Sequence, residues 1–313
     1  MRNIGLWCCV LALSACHTQI VKQVNTPSQV GVTLTPSQVV AQSGNHEWRL
    51  LDAENTIYLT LETGVVIIEM LPLMAPKHVE NTKALIRQGV FDNTQFYRVL
   101  DGFVAQGGPM FESESDRKPL AYGQYSVPSE LTVTKEWGDE YINFDGEDGY
   151  ADETGYLHSF PIGRDFSTGE SWLLHCYGAL GMGRANELDS GGTELYIVNG
   201  HAQRYLDRNV TIFGRVIDGM HHIQALQRSN DFNGVVDLTD QNIIESIRIA
   251  ADMPAQKLIP IEVLKSNSQS FVQLLEARKN RTADWFVYQH DYMDACGVPL
   301  PVRLKKTEKE HKN

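Results

Sequence analysis

Between Thr56 and Leu71 the chain reads TIYLTLETGVVIIEML, two β-rich runs joined by Glu62-Thr63-Gly64. Such a pattern is a hairpin, and a hairpin this apolar must bury a face against other elements. The rest of the sequence offers mostly more strands: TQFYRVLDGFVAQGG at 94–108, WLLHCYGALGMG at 172–183, GTELYIVNG at 192–200, VTIFGRVIDGM at 210–220 and IIESIRIA at 243–250. Helices are few. APKHVENTKALIRQG (75–89) has Pro76 in its first turn, an apolar stripe of Val79, Leu85 and Ile86, and Gly89 as its stop. A second helix starts after the Asp218-Gly219 turn. The βαβ alternation of a parallel sheet is absent, so the fold class is mainly β, an antiparallel barrel or sandwich.

Within TQFYRV, alternation with period 2 puts Arg98 on the face of Phe96. An arginine among core-forming residues, followed closely by Phe103 and Gln106, is either a solvated face residue or part of a site.

A net charge of −12, with no basic stripe, argues against nucleic-acid binding, which needs clustered Lys and Arg. The N-terminus reads MRN and then IGLWCCVLAL, a basic and an apolar region too short to span a bilayer. Leu13-Ser14-Ala15-Cys16 resembles a bacterial lipobox, which implies a signal peptide over 1–15 and acylation of Cys16. His17 after that cysteine implies the outer membrane of a Gram-negative cell, facing the periplasm. The alternative is an ordinary secretory peptide with an incidental cysteine. Cys8 and Cys9 leave with the signal. Cys176 and Cys296 then either pair, pinning the C-terminal tail, or stay as two free thiols; the sequence does not choose.

Residues 16–45 are polar, without sustained periodicity, and read as a flexible tether; TPSQV occurs in them twice, at 26–30 and 35–39. The folded domain is placed at 46–252. It is interrupted by an acidic insertion at 109–171, where EWGDEYINFDGEDGYADETGY matches no EF-hand spacing and reads as a solvated, aromatic-pinned surface loop. An extension at 253–313 carries a polar helix around 268–280 and a charged tail expected to be disordered.

FYRVLDGFVAQGG closely resembles the signature of the cyclophilin-type peptidyl-prolyl isomerases. GALGMGRANELDSGGTELYIV and RYLDRNVTIFGRVIDGM resemble two further family segments in the same order, so that the match covers about 55–250. The resemblance implies a closed eight-stranded antiparallel β-barrel capped by two helices, with the insertion and extension added to it. It implies isomerisation of X–Pro bonds in proline-containing polypeptide clients, with no cofactor, no metal and no membrane contact beyond the lipid anchor. Arg98 and Gln106 are the implied catalytic residues. Phe103, Val104, Gly183, Arg184, Glu194, Tyr196, Tyr205 and Leu206 are the implied substrate-binding positions.

Several positions depart from the family pattern. Gly183-Arg184 replaces Ala-Asn, Glu194 replaces Gln, Tyr205 replaces Trp, Val210 falls where His often stands, Val104 replaces Met, and Tyr196 replaces Phe. Glu194 and Arg184 are expected to form an opposite-charge pair at the groove edge, and the Tyr196 hydroxyl to need a partner or water. These changes motivate a second reading, a cyclophilin-fold peptide-binding module or chaperone with little or no turnover.

Overall fold

The computed structural model describes residues 34–110, 115, 117–144, 146–229, 240–281 and 283–305. The signal peptide, Cys16 and most of the tether lie outside these residues, as does the end of the charged tail. Residues from Leu34 onward form one compact unit.

The described helices are α1 (Pro36–Gln42), α2 (Pro76–Arg87), α3 (Met220–Ala225) and α4 (Gln269–Lys279). The strands in chain order are β1 (Trp48–Leu50), β2 (Thr56–Leu61), β3 (Gly64–Met70), β4 (Thr94–Val99) and β5 (Val104–Gly108). The insertion contributes β6 (Val133–Thr134), β7 (Tyr141–Asn143), β8 (Glu153–Leu157), β9 (Phe160–Arg164) and β10 (Glu170–Leu173). Then come β11 (Ala179–Gly183), β12 (Glu194–Val198), β13 (Ile212–Asp218), β14 (Ile243–Ile249), β15 (Ile261–Leu264) and β16 (Val302–Leu304).

Eight strands close into the expected antiparallel barrel, in the order β11-β12-β5-β4-β14-β2-β3-β13. Alternate residues fill its interior: Ile57, Leu59 and Leu61 from β2, Leu180 and Met182 from β11, Leu195 and Ile197 from β12. Helix α2 lays Val79, Leu85 and Ile86 on that same core, as its sequence stripe predicts.

Two segments differ from their sequence reading, and a third gains a place the sequence left open. The acidic insertion is not a solvated loop: from Val133 to Leu173 it forms a five-stranded sheet, β6-β10-β9-β8-β7. Its β8–β9 turn is His158-Ser159, both at positive φ (49° and 72°), without the Gly or Asn that usually announces such a hairpin. The strands bury Tyr156, Leu157, Phe160, Ile162 and Trp172. The carboxylates lie between and beside them, and Asp148 pairs with Arg204, Glu153 with Arg164.

The tether ends earlier than expected. Thr35 and Gln38 make a capping box for α1, with Pro36 at its first position, and Val39 is buried against α4 residues Phe271 and Leu274 in one cluster. The second TPSQV is therefore a helix start.

The extension carries its expected helix as α4 and packs on the N-terminal segment and the insertion. Strand β15 pairs with β1, Trp48 opposite Leu264, and β16 completes a three-stranded sheet. A second core gathers Trp48, Tyr156, Trp172, Leu264, Phe271 and Leu274 from the N-terminal segment, the insertion and the extension. A disulfide between Cys176 and Cys296 fastens the barrel side to the tail, with Cα atoms 5.1 Å apart.

Candidate active site

Strands β4, β5 and β12 build the candidate site on the outer face of the barrel. Arg98 lies opposite Gln106, and Gln106 opposite Tyr196. The register slips by one between Gln95 and Arg98, so that four residues of β4 (95–98) span three of β5 (106–108). Such a bulge re-aims side chains. It corrects the period-2 reading: Phe96 enters the barrel core, whereas Tyr97 and Arg98 both reach Gln106 on the outside. The arginine is half-buried. Its Nη1 donates to Gln106 Oε1 at 3.3 Å, and its guanidinium carbon stands 5.6 Å from the centre of the Phe103 ring.

Phe103, Val104, Tyr196 and Val210 belong to one apolar cluster. Val104 and Tyr196 are its buried floor; Phe103 and Val210 are half-buried at its edge, and Leu206 is half-buried on the adjoining turn. Tyr205, the neighbour of Leu206, points to solvent and is 57% exposed. At Gly183 an added Cβ would stand 3.1 Å from Gln106 Nε2, so the missing side chain leaves Gln106 room.

The Tyr196 hydroxyl has its partner within the protein. The segment between β10 and β11 supplies His175, fully buried, whose Nε2 lies 2.9 Å from that oxygen. His175 Nδ1 meets Asp207 Oδ1 at 3.0 Å, and Asp207 Oδ2 accepts from Arg204 Nε at 2.6 Å. Arg204 reaches on to Asp148 with two bonds of 2.7 and 2.8 Å. Burial works against the charge on Arg204, but Asp148 and Asp207 together keep its affinity for protons above the ordinary value. Burial would raise the Asp148 carboxyl, yet Arg204 and the Tyr150 backbone N–H hold it below the usual range. Burial pushes the Tyr196 phenol up, so it stays protonated.

The expected pair of Glu194 and Arg184 does not form. Arg184 donates to the backbone carbonyls of Asn209, Ala185 and Asn186. Glu194 instead accepts from the Tyr97 hydroxyl at 2.8 Å and from Thr193 Oγ1 at 3.3 Å. The two residues flank β11 and β12, but the loop after β11 folds back and offers Arg184 three carbonyls, which a five-donor guanidinium satisfies first. Tyr97, His175 and Asp207 escaped the sequence reading as site members. Tyr97 looked like a spacer in an alternating strand, and only the bulge exposes its role. The one sequence hint for His175 was the hydroxyl of Tyr196, which called for a partner.

Comparison with known proteins places the chain in a family. The family described as cyclophilin type peptidyl-prolyl cis-trans isomerase/CLD matches residues 56–251. A probable peptidyl-prolyl cis-trans isomerase of Brucella suis is 26% identical over 197 residues, covering 63% of this chain and 84% of its own. Peptidyl-prolyl cis-trans isomerase cypE of Dictyostelium discoideum is 29% identical over 182 residues, 57% of this chain and 90% of its own. The crystal structure of the cyclophilin AquaCyp293 from Hirschia baltica superposes with a TM-score of 0.66 at 25% identity, covering 88% of this chain and 100% of that one.

Proposed function

The chain belongs to the cyclophilin family and is a peptidyl-prolyl cis-trans isomerase; from that premise we propose that Arg98 drives the reaction by stabilising a twisted prolyl amide. Rotation about X–Pro is slow because the nitrogen lone pair is delocalised into the carbonyl, a barrier of about 18–20 kcal/mol. Twisting localises that lone pair, and a positioned cationic donor then binds the twisted amide better than either planar form. A guanidinium carries the charge and a fixed fork of donors. The observation that carries this reading is the placement of Arg98, bonded to Gln106 and poised over Phe103 at the edge of the Val104–Tyr196 slot. The proline ring sits in that slot, and Gln106 holds the substrate backbone and orients Arg98.

The test is cis–trans exchange of a short X–Pro peptide followed by NMR. Wild-type protein accelerates exchange, and Arg98→Ala lowers the acceleration by about a hundredfold. Unchanged exchange in the variant would sink the mechanism. Binding without acceleration by the wild type would favour the second reading, a groove that holds chains, which the altered positions Glu194 and Tyr196 support.

The clients in this reading are exported or envelope proteins, and the enzyme is a periplasm-facing lipoprotein of the outer membrane anchored through Cys16. The Leu13-Ser14-Ala15-Cys16 stretch supports it. Labelled palmitate incorporated by the wild type and not by Cys16→Ser is the expected outcome; equal labelling, or none, counts against the anchor.

A further inference from the structure

Behind Arg98 runs a chain of four side chains with a direction. Glu194 Oε2 accepts from the Tyr97 hydroxyl at 2.8 Å, the Tyr97 oxygen accepts from Gln106 Nε2 at 2.8 Å, and Gln106 Oε1 accepts from Arg98 Nη1 at 3.3 Å. The order follows from donor counts. An ionised carboxylate only accepts, and a phenol has a single proton. With Glu194 ionised, Tyr97 points its proton at Glu194 and has only lone pairs left for Gln106. The amide must then turn its NH2 to Tyr97 and its carbonyl to the guanidinium. A neutral Glu194 can donate instead. Tyr97 then donates to the Gln106 carbonyl, and the amide presents NH2 to Arg98, donor against donor.

We propose that Glu194 and Tyr97 are positioning residues of the isomerase, which together set the hydrogen-bond polarity of Gln106 and so hold its carbonyl on Arg98. The proposal rests on Arg98 being the group that meets the twisting amide. The acidic residue at position 194 and the tyrosine at 97 are then one device.

The surroundings fit a carboxylate that answers chiefly to Tyr97. Glu194 packs against Gly108, where an added Cβ would stand 2.7 Å from its Oε2, and against Gly183. Thr193 Oγ1 and the Met110 backbone N–H are its other donors. Among the described residues the titratable and charged groups facing it are Tyr97 and, beyond Gln106, Arg98; Arg184 is turned to carbonyls. Burial raises the Glu194 carboxyl above its ordinary range, against the pull of Tyr97 and Thr193, so it takes up a proton in milder acid than an exposed glutamate. The catalytic arrangement is present above that titration and is lost as pH falls through it.

The experiment is the pH profile of peptide exchange for wild type, Glu194→Gln, Tyr97→Phe and the double variant, with the side-chain amide of Gln106 followed by ¹H–¹⁵N NMR in the free protein. Wild-type exchange falls on acidification and the Gln106 amide shifts with the same midpoint. Glu194→Gln, nearly isosteric, abolishes both dependences and slows exchange at neutral pH by about tenfold, the worth of one hydrogen bond. In the Tyr97→Phe background the glutamine substitution adds no further loss. A wild-type Gln106 amide indifferent to pH, or a Tyr97→Phe variant with the wild-type rate and profile, overturns the relay. Arg98→Ala separates the two readings: unchanged exchange there removes the arginine mechanism, whereas an unresponsive Gln106 amide removes the relay and leaves the arginine mechanism standing.

Discussion

His175 and Tyr196 lie with their rings nearly parallel, 10° apart, and with Nε2 and the phenolic oxygen at 2.9 Å. The tyrosine belongs to the floor of the candidate proline slot, and the histidine comes from the link between β10 and β11. Tyr196 lies across Gly181, where any Cβ would run into its ring, so the ring is held from below by a glycine and at its tip by an imidazole.

Replacing His175 with Leu leaves the Tyr196 hydroxyl without its partner in a buried place, while Asp207 Oδ1 keeps the backbone N–H of residue 175 and loses only the imidazole. The expected cost is about 2–3 kcal/mol in urea unfolding. In a Tyr196→Phe background the same change costs about 1 kcal/mol less, because the hydroxyl no longer needs satisfying. Strict additivity of the two changes would show that the contact carries no energy.

Arg204 sits between Asp148 and Asp207, with all three side chains at most 6% exposed. Arg204→Met strands two carboxylates and is expected to destabilise the fold by about 3–5 kcal/mol. The Asp148→Asn/Asp207→Asn/Arg204→Met triple variant recovers much of that loss, since no charge is then buried unpaired. Chemical denaturation of the wild type and the two variants checks the ordering.

The Cys176–Cys296 disulfide closes a loop of 120 residues and ties the tail beside the segment that carries His175. Cys296→Ser is expected to lower stability by about 2–4 kcal/mol through the larger freedom of the unfolded chain. A reductant should produce the same shift in the wild type and none in the variant.

Acid should weaken the fold through Asp148, Glu47 and Glu130. Burial opposes ionisation in each, but Arg204 at Asp148, Ser270 at Glu47 and His78 at Glu130 hold all three carboxyls below their ordinary values. A depressed folded-state value contributes stability that is present above the unfolded-state value of about 4 and is lost as pH falls through the folded one. The urea midpoint is therefore flat from neutrality to about pH 5 and falls below about pH 4. Asp148→Asn should make the acid limb shallower.

The barrel and the Arg98–Phe103–Gln106 trio were legible because short apolar runs, turns and a signature stretch all describe one local surface. What escaped depended on contacts between distant segments. The inserted sheet hid behind its carboxylates and behind a His158-Ser159 turn at positive φ, whose backbone is bonded by the distant residues Arg49, Arg215 and Ser266. Helix α1 has its capping box in plain view, yet seven residues with one buried side chain are not a helix until α4 covers Val39. Tyr97 needed the bulge, and Arg184 needed the carbonyls of its own loop. None of these can be read from neighbours in sequence.

The pairing of Trp48–Leu50 with Ile261–Leu264 sets the order in which the molecule can be assembled. As the chain emerges, β1 waits unpaired until more than two hundred residues have followed it. The barrel can close earlier, from segments already made. The N-terminal and inserted segments cannot finish their shared core until helix α4 arrives. A prolyl isomerase thus carries a late-forming pairing in its own fold, and a nascent chain stalled short of residue 260 would display Trp48 and Val39 as unclaimed apolar surface.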